Sequence, residues 1–240
     1  MKKTLNTYKE PEEFDITRKS YQLEFFNFIE EKISLFPSYI SKSFDFQNLP
    51  NTIQGENKIT EQFHRFLNSH ERSYKYNEIL KSDFYHFIFE NQSSGEKHRS
   101  YDIAVILGKE TLNAGKILVI EAKRLPTPGN ARKKEYLFGN FGAVERFRKE
   151  VHGQDIKSNQ AVIIGYIQSE NQTHWLNEIN LWIDEESKNQ KESSLTWQNT
   201  DKFIKDDSFS QTKTSKYISN HSRITLEKIK LYHYWIDLKN

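Results

Sequence analysis

The chain contains no cysteine. That excludes a disulfide scaffold, a thiol nucleophile and any cysteine-ligated zinc site, and it suits a reducing compartment. Glycine and proline are scarce, 9 and 5 in 240 residues, so each cluster of them is expected to mark a boundary. Pro50 to Gly55, Ser93 to Gly95 and Pro126 to Gly129 are the three such places. No run of 18 apolar residues occurs, so no membrane span and no membrane partner are expected. The opening MKKTLNTYKEPEEF has two lysines without an apolar stretch behind them, which does not read as a signal peptide. A cytoplasmic protein is expected. There is no Walker loop, no H-E-x-x-H pair and no internal repeat. Charge of one sign is lacking too. Lys and Arg number 35 against 33 Asp and Glu, a net of +2, which excludes a polycation but leaves room for a locally basic face.

What the chain has is aromatic residues. Hydrophobic residues are only 35% and mean hydropathy is -0.83, values that resemble a disordered chain. Aromatic residues make 14%, and disordered chains are poor in them. Large rings are therefore expected to fill the core in place of aliphatic side chains. The length fits one large domain, or a medium one with an embellishment.

Residues 1–50 read as an aromatic-rich helical extension. Tyr21, Phe25, Phe28 and Ile29 share a helical stripe. The following SLFPSYISKSFDF, broken by Pro37, has no firm assignment; a subdomain or an interface arm both fit. Residues 51–240 read as the main domain. Ile59, Phe63, Phe66 and Leu67 make one face of a helix. FYHFIFEN, SYDIAVIL and KILVIEAK are strands, with Ser93 to Gly95 as a hairpin turn between the first two. Leu137, Phe141, Val144, Phe147 and Val151 predict a helix, weakened by Gly139 and Gly142. NQAVIIGYIQ is a buried strand, HWLNEINLWIDEE a helix, and Glu185 to Ser194 an exposed loop or frayed end. KYISNHSRITL and KIKLYHYWIDL are two closing strands. The pattern predicts an α/β (α+β) domain with a central mixed sheet flanked by helices. Three consecutive strands before the crossover helix exclude a doubly wound fold.

One constellation carries chemistry. Asp102 opens the strand SYDIAVIL, and Glu121 and Lys123 end KILVIEAK 19 residues later. At i and i+2, Glu121 and Lys123 share a strand face, while Ala122 leaves its backbone carbonyl near the site. Asp102 and Glu121 offer hard oxygen ligands to Mg²⁺, with Mn²⁺ as a substitute. Such a metal polarises a phosphodiester and activates a water, and Lys123 would orient or deprotonate that water or stabilise charge. The plain alternative is a strand-start aspartate and a surface ion pair worth little.

The SYD and EAK segments, at this spacing and on these strands, resemble the PD-(D/E)xK nuclease superfamily, the restriction-endonuclease-like fold. The resemblance covers residues 55–168, and the order helix, three strands, helix, strand matches that core. Tyr101 stands where the family usually has proline, and no Gln-x-x-x-Tyr follows. The run EAKRLPTPGNARKKEYLFGNFGAVERFRKEVHG is similar to a segment of bacterial defence-associated members. The resemblance implies DNA as substrate, Mg²⁺ as cofactor and a role in antiphage defence. It also implies an acid on the first core helix. Glu56 and Glu61 are the candidates; Glu56 lies about 60° from Ile59, Glu61 about 200°, so Glu56 is preferred, with a helix-start role as its alternative.

The segment after the motif is basic. From Arg124 to Lys157 eight basic residues stand against four acidic ones, a local excess suited to phosphate. Arg124, Arg132, Lys133, Lys134, Arg146 and Lys149 are the candidate DNA contacts, on a loop and helix expected at the mouth of the site. A solvated helix face is the alternative for Arg148 and Lys149. His152 reads first as a helix cap beside Gly153, with nucleic-acid contact or acid–base work as its functional reading. The expectation is a Mg²⁺-dependent endonuclease acting on DNA, with a sensor or ATPase subunit of a defence complex and a second copy of the chain as candidate partners; a hybrid reading is a nuclease kept silent until a sensor subunit releases it. The alternative is a non-catalytic nucleic-acid-binding or assembly subunit on a degenerate nuclease fold.

Overall fold

The computed structural model describes residues 13–43, 53–73, 85–89, 102–107, 116–127, 129, 132–153, 156, 159–189 and 195–239. The expected hairpin turn at Ser93 to Gly95, Tyr101, and Pro50 lie outside them.

The chain forms an α+β fold around one seven-stranded mixed sheet. Helices α1 (Glu13–Ser43) and α2 (Ile53–Ser73) come first. Strands β1 (Tyr85–Phe89), β2 (Ile103–Leu107) and β3 (Leu118–Leu125) follow. Then come α3 (Ala143–Arg148), β4 (Gln160–Ile167), α4 (Gln172–Asn189), β5 (Ile204–Ser210), β6 (Thr214–His221) and β7 (Ile229–Asp237). The spatial order is β1-β2-β3-β4-β7-β6-β5. The β3–β4 and β4–β7 pairs are parallel and the others antiparallel.

β3 and β4 lie at the centre, so both of their faces are covered and the sequence there is nearly all apolar. Alternation splits them between two cores. Leu118, Ile120, Ala122, Val162, Ile164 and Tyr166 join α1 and α2 in one core. Val119, Leu125, Ala161, Ile163 and Ile167 join α3 and α4 in the other. α1 belongs to the first core: the ring of Phe36 lies 4.9 Å from that of Phe63 on α2, and Phe26 lies 4.4 Å from Tyr232 on β7. Lys216 on β6 adds an ion pair to Glu30, 2.7 Å apart.

Three expectations change. Pro37 does not break the first helix, which runs on to Ser43. A proline costs a helix about 3 kcal/mol, and the buried stripe Ile29, Ile33, Phe36 and Ile40 offsets it. The helix expected from Leu137 to Val151 is confined to Ala143–Arg148; Gly139 with φ +89° turns the chain, and Phe141 is exposed. The closing pair of strands is three, because β5 precedes them. Its Lys205, Asp206 and Asp207 hide the alternation, as suits an edge strand that must not pair with another chain. The polar stretch from Glu185 continues α4 as far as Asn189; its remainder lies outside the described residues.

Candidate active site

β2 pairs with β3 only as far as Ile120, opposite Ile103. Past that point the β2-facing edge of β3 has no strand partner, yet Glu121, Lys123 and Arg124 are buried. Buried backbone N–H groups must find acceptors. Two carboxylates provide them. The Ala122 N–H donates to Asp102 Oδ2 at 2.7 Å, and the Arg124 N–H donates to Glu56 Oε2 at 2.9 Å. Asp102 is the residue just before β2, and Glu56 sits in the first turn of α2. N–H and C=O of one strand residue point the same way, so the Ala122 carbonyl faces this same open edge.

Lys123 Nζ stands between two acids, 3.3 Å from Glu56 Oε1 and 3.4 Å from Glu121 Oε1. Arg146, from the second turn's worth of α3, reaches Glu121 Oε1 at 3.4 Å. His152 Nδ1 lies 3.3 Å from Glu121 Oε2. The cluster thus joins α2, β2, β3, α3 and the turn after α3. Glu61 is not part of it; it points outward and pairs with Arg65.

Burial pushes the Asp102 carboxyl up to about 8, the charges of Glu121 and Glu56 push the same way, and Lys123 and the Ala122 N–H pull back. Burial also raises Glu121, but His152, Lys123 and Arg146 outweigh it and hold that carboxyl below its usual range. Burial lowers Lys123, and Glu56, Glu121 and Asp102 outweigh that, raising it. Lys123 is therefore a lasting cation, suited to orienting a water or stabilising negative charge rather than to taking a proton.

The donors suit a hard divalent cation. Asp102, Glu121 and the Ala122 carbonyl are oxygen ligands, and Mg²⁺ takes one or two carboxylates and keeps several waters. Glu121 Oε2 is buried and accepts no hydrogen bond. Among the described residues no three His, Asp or Glu side chains stand together as a metal group; a Mg²⁺ seat here rests on two carboxylates, a carbonyl and water.

The basic residues divide. Arg146 joins the cluster. Arg124 does not face outward as a DNA contact: it is 7% exposed, and its Nε donates to Gln168. His152 is 0% exposed, so the expected nucleic-acid contact gives way to a contact with Glu121 beneath the surface. Lys133 and Lys134 were expected at the mouth of the site, but they pair with Glu178 and Glu185 on α4 and flank the Trp182 ring. Arg132 pairs with Glu135, and Lys149 with Glu145 at 2.7 Å. The last two pairs are local, three and four residues apart, whereas Lys133 and Lys134 are drawn to a distant helix.

Two features were missed from sequence. Glu150 adopts φ +58°, and its carboxylate accepts from Thr225 N–H at 2.6 Å, Leu226 N–H at 2.7 Å and Thr225 Oγ1 at 2.8 Å. This anchors the turn carrying His152 to the β6–β7 loop. The second is a buried polar chain. Trp235 Nε1 meets Tyr136 Oη (3.0 Å), which meets His233 Nδ1 (3.1 Å); His233 Nε2 meets Ser219 Oγ (2.7 Å). Ser219 Oγ meets His221 Nε2 (2.6 Å), and His221 Nδ1 meets Asp201 Oδ1 (2.9 Å). With both rings neutral, every donor points toward Asp201 and every partner is satisfied. Alternation at His233 and His221 on two strands was the available signal.

Compared with models of known protein families, with characterised proteins and with solved structures, the chain finds no match. No helix among the described residues is long and apolar enough to cross a membrane.

Proposed function

We propose that the chain is a Mg²⁺-dependent endonuclease of restriction-endonuclease-like fold that hydrolyses DNA phosphodiester bonds. One observation carries the reading. Asp102, Glu121, Lys123 and Glu56 meet at the single place where β2 leaves β3, so strand divergence opens a seat that four ionisable groups line. Burying charges costs several kcal/mol each, and apolar replacements are often as stable or more so. Perturbed acids gathered at one seat are the mark of chemistry.

The roles follow from position. Asp102, Glu121 and the Ala122 carbonyl would hold Mg²⁺ or Mn²⁺, which when bound polarises the phosphate and lowers the pKa of a water. Lys123 orients that water and offsets charge on the phosphate oxygens. Glu56 holds Lys123 in place and seals the β3 edge at Arg124. The run from Glu121 to Gly153 supports an effector role in bacterial antiphage defence, with a sensor or ATPase subunit, or a second copy of the chain, as partner.

The test is cleavage of plasmid and linear DNA with Mg²⁺ or Mn²⁺. Activity is expected to vanish with chelator and in Glu121→Gln and Lys123→Ala. Cleavage unchanged in either variant overturns the assignment. The second reading is a binding or assembly subunit, and the Arg146 and His152 contacts on Glu121 favour it, since they already neutralise that carboxylate. Calorimetry decides: no heat with Mg²⁺ and no cleavage of any DNA supports the subunit.

A further inference from the structure

The chain is rich in rings, and those whose exposure is described are buried or half-buried with one exception. Phe141 is 59% exposed, the single exposed Phe, Tyr or Trp among the residues whose exposure is described. Its place is built rather than loose. Gly139 turns the chain at φ +89°, and Gly142 N–H closes the turn onto Gly139 C=O at 3.0 Å. A Cβ at Gly142 would stand 2.5 Å from the Phe138 carbonyl group, so only glycine lets the two arms approach. Glu145 Oε2 accepts from the Gly139 N–H at 2.6 Å and ties the tip to α3.

The tip is fixed to the candidate active site by the same helix. Gly142 C=O accepts the Arg146 N–H at 2.9 Å, and Arg146 reaches Glu121. Phe141 therefore stands just outside the N-terminus of α3, five residues before the residue that touches the metal-seat carboxylate. Arg146 and Asp102 are less buried than Glu121 and Lys123, so these two are the members of the cluster that reach toward solvent, and Arg146 does so from the helix that Phe141 precedes.

We infer that Phe141 is a stacking platform for an unpaired base, and that the DNA acted on at the Asp102–Glu121 cluster is single-stranded or locally opened. This rests on the nuclease reading and narrows its substrate class. An exposed ring loses little freedom when a base covers it, and base–aromatic stacking is insensitive to sequence. Bases in an intact duplex are stacked on each other and do not present that face.

The experiment measures binding by fluorescence anisotropy in chelator, with a labelled oligothymidylate and a duplex of equal length. Native protein is compared with Phe141→Ala, Phe141→Leu and Phe141→Trp, each checked for an unchanged melting temperature. The Ala and Leu variants are expected to bind the single strand about 5- to 100-fold more weakly. The Trp variant should bind as native does, and duplex binding should stay the same in all four. Native-like single-strand binding in Phe141→Ala, equal weakening on both probes, full rescue by Leu, or no single-strand binding by native protein each overturns the inference. Chelator separates this from catalysis. Cleavage that persists while Phe141→Ala binds normally leaves the nuclease reading intact. Ring-dependent binding without any metal-dependent cleavage leaves the platform and removes the nuclease.

Discussion

Glu56, at the start of α2, and Arg124, near the end of β3, lie 68 residues apart in sequence, and the carboxylate of one accepts the backbone N–H of the other at 2.9 Å. A side chain here does what the next strand does elsewhere along β3. Removing it would leave a buried N–H without an acceptor and Lys123 short of one counter-charge. Glu56→Ala is therefore expected to lower stability by about 3 kcal/mol, and Glu56→Gln by about 1, since the amide oxygen still accepts. Urea unfolding of the two variants checks the ranking.

Asp102 carries a proton up to about pH 8. A cation seated there must displace it. Mg²⁺ affinity should then rise with pH and level off above about 8, with close to one proton released per ion at neutral pH. Calorimetry in two buffers of different ionisation heat measures that proton. Without metal, the folded state keeps a proton that the unfolded chain releases above 3.8. Stability from this group is full below that pH and is lost as pH rises toward 8, and Asp102→Asn should remove the loss.

The two histidines of the buried chain act in the opposite direction. Burial holds His221 below its ordinary value, and burial with the neighbouring His221 holds His233 far below it. Under about pH 6.5 the unfolded chain takes up protons that the folded one refuses, so stability is full above that pH and falls as pH drops. Unfolding midpoints at pH 7.5 and 5.5 should differ in that sense. Ser219→Ala breaks the chain in its middle and should cost about 1–3 kcal/mol at neutral pH.

Glu150 pins the turn that presents His152, two residues on, to Glu121. Glu150→Ala should lower stability by about 1 kcal/mol through the part-buried hydrogen bonds it removes and reduce cleavage at least tenfold. Glu150→Gly relieves the positive φ without restoring the anchor, so it should recover part of the stability and none of the activity. Equal activity in Glu150→Gly and native protein would show that the anchor does not position the site.

Most of the element order was legible because it rests on periodicity. KILVIEAK and NQAVIIGYIQ read as central strands since both faces of β3 and β4 are covered. Glu56, preferred over Glu61 because it falls beside the apolar stripe, is the one of the two that reaches Lys123 and Arg124. The stretch after Pro37 and strand β5 were not legible, because tertiary packing outweighed a local signal in each. The basic segment misled. A run of Lys and Arg gives net charge but not direction, and Arg124, Lys133 and Lys134 are directed by Gln168, Glu178 and Glu185.

The sequence by itself determined the residue types available to chemistry: no thiol, carboxylates at Glu56, Asp102 and Glu121, and a lysine two residues past the last. It also determined the strands other than β5, because the apolar pattern that marks them is local. Tertiary structure alone decided that β2 stops pairing at Ile120. That stop creates unpaired, buried N–H groups, and the need to satisfy them draws Asp102 and Glu56 to one edge. It also decided that His152 and Arg146 close on Glu121 and that Phe141 stays outside, because these placements depend on where distant segments of the chain meet.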